Sequence, residues 1–160
     1  MRDEVPPGED GDDGDGPARN RGLQTAVALE GDGTDIALAR HLAADFLTRV
    51  QAEYGLKVSS RGMDLTRLVV SELVTNARKY APGPVLMELR IDGEVIEVSV
   101  WDTDPVLPVA RAADPGRLGQ HGLEIVMAVA QGFEARRETV GKRITARVPL
   151  TDEVGYRSPR

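Results

Sequence analysis

Cysteine is absent from this chain, which excludes disulfides, thiolate metal sites and a cysteine nucleophile. Histidine occurs twice, at His41 and His121, too few for a histidine-based metal centre. Lysine is scarce, three residues against 17 arginines, a bias in keeping with a high-GC bacterial genome and without mechanistic content. No apolar run approaches the ~18 residues that a membrane span needs, and no charged-then-apolar leader opens the sequence. The expectation is a cytoplasmic protein with no membrane partner.

What is present fits one domain. A length of 160 residues, 41% hydrophobic and 29% charged, suits a globular protein with a single core. The net charge of −6 is uneven, because residues 1–20 alone carry −5 and the remainder only −1. The main body is therefore nearly neutral and shows no basic stripe, which argues against direct nucleic-acid binding. Residues 1–20, with four Gly, three Pro and Val5 as the only branched apolar residue, are expected to be a disordered acidic tail. The Asp-rich run at 10–16 lacks the terminal glutamate that an EF-hand loop places at a fixed offset. Residues 151–160 read as a flexible C-terminal tail, leaving 21–150 as the folded domain.

The order of elements follows from period and punctuation. Leu23–Leu29 alternates loosely and reads as an edge strand ended by Gly31-Asp32-Gly33. Thr34 or Asp35 caps a helix from Ile36 to Tyr54, which Gly55 stops. His41 in this helix stands without a charged or metal-binding cluster and is assigned to packing or surface. A second helix is expected with Asp64 as N-cap, running to Tyr80 and ended by Pro82-Gly83-Pro84. Val85–Ile91 and Val95–Trp101 alternate with period two around Asp92-Gly93, a hairpin signal. Residues 103–118, rich in Pro, Gly, Ala and Asp, form a mobile loop. A third helix, Leu123 to Gln131, is so apolar that burial on most sides is expected. Phe133–Thr139 and Arg143–Leu150 complete the chain as strands. The resulting order, β α α β β, loop, α β β, points to an α+β sandwich with helices on one sheet face.

The second helix holds the first chemical signal. Leu65, Leu68, Val69, Leu73, Ala77 and Tyr80 share one face, and Glu72 and Asn76 stand on that face four residues apart. A carboxylate and a carboxamide in an apolar stripe are costly unless something pairs with them. Two readings are open: polar groups at a helix edge satisfied by neighbouring backbone, or a pair facing a ligand. Two further pieces bear on the choice. Asp102 ends a strand just before the flexible segment. Gly119-Gln120-His121-Gly122 opens a helix, where unpaired backbone N–H groups and the dipole favour phosphate. Each is ordinary alone: a turn aspartate, a glycine loop.

In this order the three pieces, SELVTNA at 71–77, Asp102, and GQHGLEIV at 119–126, resemble the GHKL superfamily of ATP-binding domains over about residues 23–150. They are most similar to the small bacterial anti-sigma-factor serine/threonine kinases and their stand-alone regulator relatives. The resemblance implies a two-layer histidine-kinase-like ATPase sandwich with a mixed, mainly antiparallel sheet. It implies ATP and Mg²⁺ as cofactors, with Asn76 the metal ligand and Glu72 the base that activates an attacking hydroxyl. Asp102 would read the adenine amino group. Asp104, Gly119, His121, Gly122 and Leu123 would line the nucleotide pocket, and residues 103–118 would be its lid. Lys79 either neutralises phosphate or is a solvated helix-end charge, and His121 either touches phosphate or faces solvent. The implied partners are an anti-sigma-antagonist protein of the STAS type and a sigma factor, with a homodimer as the implied assembly.

Two departures from the family pattern stand out. Asp102-Thr103-Asp104-Pro105 lacks the glycines of the usual first motif, as is common in the small regulator branch. On the last strand, the place where the family carries a threonine supporting the adenine-reading aspartate is assigned to Arg143, so Thr145 is the nearest hydroxyl that could serve. The leading expectation is a kinase that phosphorylates an anti-sigma antagonist. The alternative is an ATP-gated sequestration module without useful phosphoryl transfer. A histidine kinase would need a phospho-accepting histidine on a two-helix dimerisation domain, which His41 does not provide.

Overall fold

The computed structural model describes residues 23–30, 35–80, 83–104 and 120–152. Within them the chain runs β1 (Gln24–Leu29), α1 (Asp35–Tyr54), α2 (Ser60–Tyr80), β2 (Val85–Asp92), β3 (Val95–Asp102), α3 (Gln120–Val129), β4 (Gly132–Arg137) and β5 (Lys142–Pro149). The expected acidic tail, the lid, Gly119, the Gly31-Asp32-Gly33 stop, Pro82 and the chain after 152 lie outside the described residues, as do the side chains of Tyr80, Gln120 and His121.

The five strands form one open sheet in the order β1-β2-β3-β5-β4. All four pairings are antiparallel, so the expected mixed sheet is antiparallel throughout its described strands. β1 sits at the edge, as its weak alternation suggested. Strict alternation on β2, β3 and β5 turns Val85, Met87, Leu89, Ile96, Val98, Val100, Ile144, Ala146 and Val148 towards the helices, all buried. The other face carries polar side chains that pair across strands: Arg90 with Glu97 at 2.8 Å, Arg143 with Glu88 at 2.7 Å, and Ser99 with Thr145 at 2.8 Å.

The helices close the buried face. α2 contributes Val69, Val70, Leu73, Val74 and Ala77 to the core, and α1 adds Ala39, Ala43, Phe46, Leu47 and Val50. The start of α1 is tied to the end of α2 by Asp35, only 2% exposed, which takes Arg78 Nη1 at 3.4 Å. His41 lies exposed on α1, 3.3 Å from Asp45 one turn on, in keeping with a surface role.

Three boundaries differ from expectation for identifiable reasons. α2 starts at Ser60 rather than after Asp64 because Ser59 is the cap: its Oγ accepts the Gly62 amide at 2.9 Å, three residues on. The β2–β3 loop is Gly93-Glu94, with Asp92 still paired to Val95, because Gly93 takes the positive φ of +67°. α3 is buried on one side only. Leu123 and Val126 enter the core, whereas Ile125 and Met127 are 38% and 50% exposed. Apolar content alone does not report burial when a helix packs through a single stripe.

Gly62 faces the chain end of β5 so closely that a Cβ there would fall on the Leu150 carbonyl. Ser59 N–H donates to that same carbonyl at 2.8 Å, which pins the start of α2 to the end of β5. Gly62→Ala has no φ penalty to meet, so its cost measures this contact. We expect a loss of about 1–3 kcal/mol in urea unfolding, the range for forcing a methyl into a packed site. An unchanged midpoint would mean the two elements separate freely.

Candidate functional site

The site is built where the buried stripe of α2 turns polar. Glu72 and Asn76 follow Val69 and Leu73 on the side of α2 that meets the rest of the fold. Glu72 is half-buried, and Asn76 is 8% exposed. Among the described residues neither side chain has a hydrogen-bond or ion-pair partner. A carboxamide buried to this degree without a partner loses its water and gains nothing in return, a cost of about 1–3 kcal/mol. Of the two readings of the sequence, satisfaction by neighbouring backbone is therefore not what the structure provides.

α3 brings the second component to α2. Gly122 lies in its first turn, where backbone N–H groups have no partner within the helix. A Cβ at position 122 would fall on Oε1 of Glu72, so only glycine allows the helix start and the carboxylate to approach this closely. Leu123 next to it is buried and anchors the turn. Lys79, three residues beyond Asn76, is exposed and engaged in other interactions.

Asp102 forms a separate group at the end of β3. It is 1% exposed and faces the same side of the sheet as Val98 and Val100. Its Oδ1 accepts the Asp104 amide at 2.8 Å, closing a turn that bends the chain away from the sheet. Its partner is Lys142, also 1% exposed, the first residue of β5 and register-paired with Asp102. Lys142 Nζ donates to Asp102 Oδ1 at 3.0 Å and Oδ2 at 3.1 Å, and to the Asp104 carbonyl at 3.2 Å. Gly141, with φ +79°, makes the approach possible, since a Cβ there would fall on the Asp102 carbonyl.

This corrects the sequence reading of β5. The residue beside Asp102 is Lys142, not Arg143. Arg143 and Thr145 point to the opposite face, where Arg143 pairs with Glu88 and the Thr145 hydroxyl with Ser99. Thr145 cannot serve Asp102 from there. Parity would have shown this: counting back in twos from Ala146 and Ile144 reaches Lys142. Lysine is seldom buried, so its charge gives no signal of a place on the inward face.

Among the described residues no three His, Cys, Asp or Glu side chains cluster as a metal cage. A divalent cation here would rest on the Asn76 carboxamide together with phosphate oxygens and water, which suits Mg²⁺. The Asn76 carboxamide, without a partner among the described residues, fits such an ion. The base end fits less simply, because Asp102 is already engaged by an ammonium group. A groove of about 290 Å³ lies elsewhere, on the outer sheet face near Thr25, Arg90 and Ser99, and holds none of these residues. Among the described residues no helix is long and apolar enough to cross a membrane.

The fold defines a class: an α+β sandwich of the ATPase type. Residues 32–148 match the histidine kinase-like ATPase domain, and the chain belongs to that family. Among solved structures it is similar to the RsbU and RsbW domains of Rv1364c from Mycobacterium tuberculosis, with a TM-score of 0.59 and 14% identity. That likeness covers 79% of this chain and 32% of the other, so the chain spans about a third of its length. A histidine kinase domain from Erythrobacter litoralis EL346 matches at a TM-score of 0.44, 19% identity, 70% of this chain and 61% of that one. The histidine kinase AdeS of Acinetobacter baumannii matches at 0.43, 10% identity, 80% and 68%. Values this low add nothing to the assignment. No curated protein matches the sequence significantly.

The buried pair itself is open to measurement. Lys142→Met strands the Asp102 carboxylate, and unfolding free energy should fall by about 3–5 kcal/mol. Adding Asp102→Asn should recover part of that loss, because a buried pair replaced on both sides is often nearly neutral. Additive losses in the double variant would show that the two groups do not interact.

Proposed function

We propose that this protein is an ATP- and Mg²⁺-dependent serine/threonine kinase of the anti-sigma type, transferring the γ-phosphoryl group to an anti-sigma antagonist. The observation that carries the reading is the buried, unpartnered Asn76 one helical turn from Glu72, beside the glycine that opens α3. Family membership supports a nucleotide site, and the RsbW domain in the similar mycobacterial protein favours the anti-sigma class over other kinases. The STAS-type partner, the sigma factor, the cytoplasmic setting and a homodimer belong to the same proposal.

In this reading Asn76 holds the metal through its carboxamide oxygen. Mg²⁺, when bound, neutralises phosphate charge and leaves most of its coordination to water and phosphate oxygens. Glu72 accepts the proton of the attacking serine hydroxyl, with its carboxylate fixed against the start of α3. Gly122 lets the start of α3, whose first backbone N–H groups favour phosphate, close directly on the Glu72 carboxylate. Leu123 holds that turn in the core. Gly119, His121 and residues 103–118 remain proposed pocket and lid components, and Lys79 a proposed phosphate contact at the rim.

A second reading has its own observation. The Lys142–Asp102 pair engages the carboxylate that would otherwise read the base, which favours a weakly binding nucleotide-gated sequestration module over an efficient kinase. Glu72 separates the two. Glu72→Gln keeps shape and removes the base, so transfer to a serine of an antagonist-type protein should fall about 10²-fold or more with nucleotide binding retained. Equal transfer by wild type and variant would make Glu72 structural; no transfer by wild type would favour the sequestration module. Asn76→Ala should act differently, weakening nucleotide binding only when Mg²⁺ is present. Calorimetry with and without chelator checks this, and an equal loss in both conditions would remove Asn76 as the ligand.

A further inference from the structure

The two edge strands of the sheet, β4 and β1, differ in chemistry. β4 carries Glu134, Arg136 and Arg137, all exposed, and charged side chains on an edge hinder pairing with another chain. β1, Gln24–Leu29, holds no charged residue and no proline, and its register with β2 runs without a bulge. The Ile91 amide donates to the Leu23 carbonyl at 2.9 Å, and Gln24 stands opposite Arg90. Bonded and non-bonded pairs alternate in an antiparallel ladder, so the odd-numbered residues of β1 bond to β2. Gln24, Ala26 and Ala28 therefore turn their backbone N–H and C=O groups away from β2, to the outer edge. Among the described residues no strand lies beyond that edge. All three side chains are exposed, and two of them are single methyl groups.

We infer that this edge is an interface between two copies of the chain, with β1 pairing antiparallel to β1 of the second copy. A two-fold axis normal to the sheet relates them, so the same patch serves on both sides. Only the register centred on Ala26 uses all three outward residues: Ala26 meets Ala26, and Gln24 meets Ala28 on either side of it. Each of these pairs exchanges two hydrogen bonds. In the same register Val27 lies opposite Thr25, a β-branched pair that suits neighbouring strands. A strand facing its own copy commonly sets like charges near one another, which is destabilising. Here every paired position is uncharged, and this favours a second copy over an unrelated strand. The two sheets become one, with the helices of both copies on the same side. A homodimer is part of the proposal above; β1 gives it a surface and a register, and owes nothing to the nucleotide site.

The test is made on the full chain by sedimentation equilibrium and by cross-linking. Wild type should approach twice the chain mass as concentration rises. Ala26→Pro should stay at the chain mass, because proline removes the central outward N–H while an edge strand tolerates it there. The register is tested separately, and the absence of cysteine makes a single introduced thiol unambiguous. In Ala26→Cys the two copies of residue 26 stand about 5.5 Å apart between Cα atoms, within the span that a disulfide bridges. In Gln24→Cys they are about 14 Å apart, four residues of strand rise, which is too far. Oxidation should therefore yield a covalent dimer from Ala26→Cys and none from Gln24→Cys. Equal cross-linking of both, or of neither, overturns the inference even if Ala26→Pro fails to fold. A folded Ala26→Pro that remains dimeric overturns this surface and leaves the homodimer standing. A wild type that is monomeric at every concentration overturns both, and phosphoryl transfer to an antagonist would still be decided by the Glu72 assay.

Discussion

The site depends on how α2 is buried. Its stripe of Val69, Val70, Leu73, Val74 and Ala77 packs against the inward face of the sheet, and that packing sets the rotation of the helix. Once Leu73 and Ala77 are in the core, Asn76 has no freedom to turn towards water and Glu72 is half-buried. Asn76 is carried to 8% exposure by its neighbours rather than by any bond of its own. The hydrophobic effect thus places a polar group where it would not go alone, and a helix turn of α3, anchored by Leu123, is brought against the neighbouring Glu72. The Ser59 cap and the Gly62–Leu150 contact stop α2 from sliding along its axis.

Much of this was legible in the sequence because it follows from period. The stripe of α2, the alternation of β2, β3 and β5, and the punctuation by Gly and Pro gave eight elements in the observed order, with ends displaced by a few residues. Displacements occurred where a cap or turn competed with a plausible neighbour: Ser59 displaced Asp64, and Gly93 drew the hairpin loop one place onward. α3 was misread for a different reason. Hydropathy reports what a helix could bury, while the fold supplies only one surface for it to bury against.

The outer surface of the sheet was the less readable part. Its Arg and Glu side chains look like solvated charges along the sequence, and their pairing depends on strand order, which places β5 beside β3 ahead of β4. Arg78 is a similar case. It sits inside the motif-bearing helix and closes the α1–α2 pair through buried Asp35. A cation next to a candidate site is not thereby part of it.

Lys142 is the opposite case, a charge that looks solvated along the sequence and lies in the core. A buried ion pair must offset the desolvation of both groups, and replacing it with apolar side chains is often no worse for stability. Stability alone is thus a poor reason to keep an ammonium group in the core. Here the pair stands at one end of the proposed pocket. The two ends differ in kind. At Asn76 an acceptor is buried with nothing bound to it, so a ligand there gains an interaction it does not have to displace. At Asp102 the acceptor is already held, so a ligand must exchange with Lys142 and gains only the difference. Under the nucleotide reading, binding at the phosphate and metal end adds an interaction, while binding at the base end exchanges one.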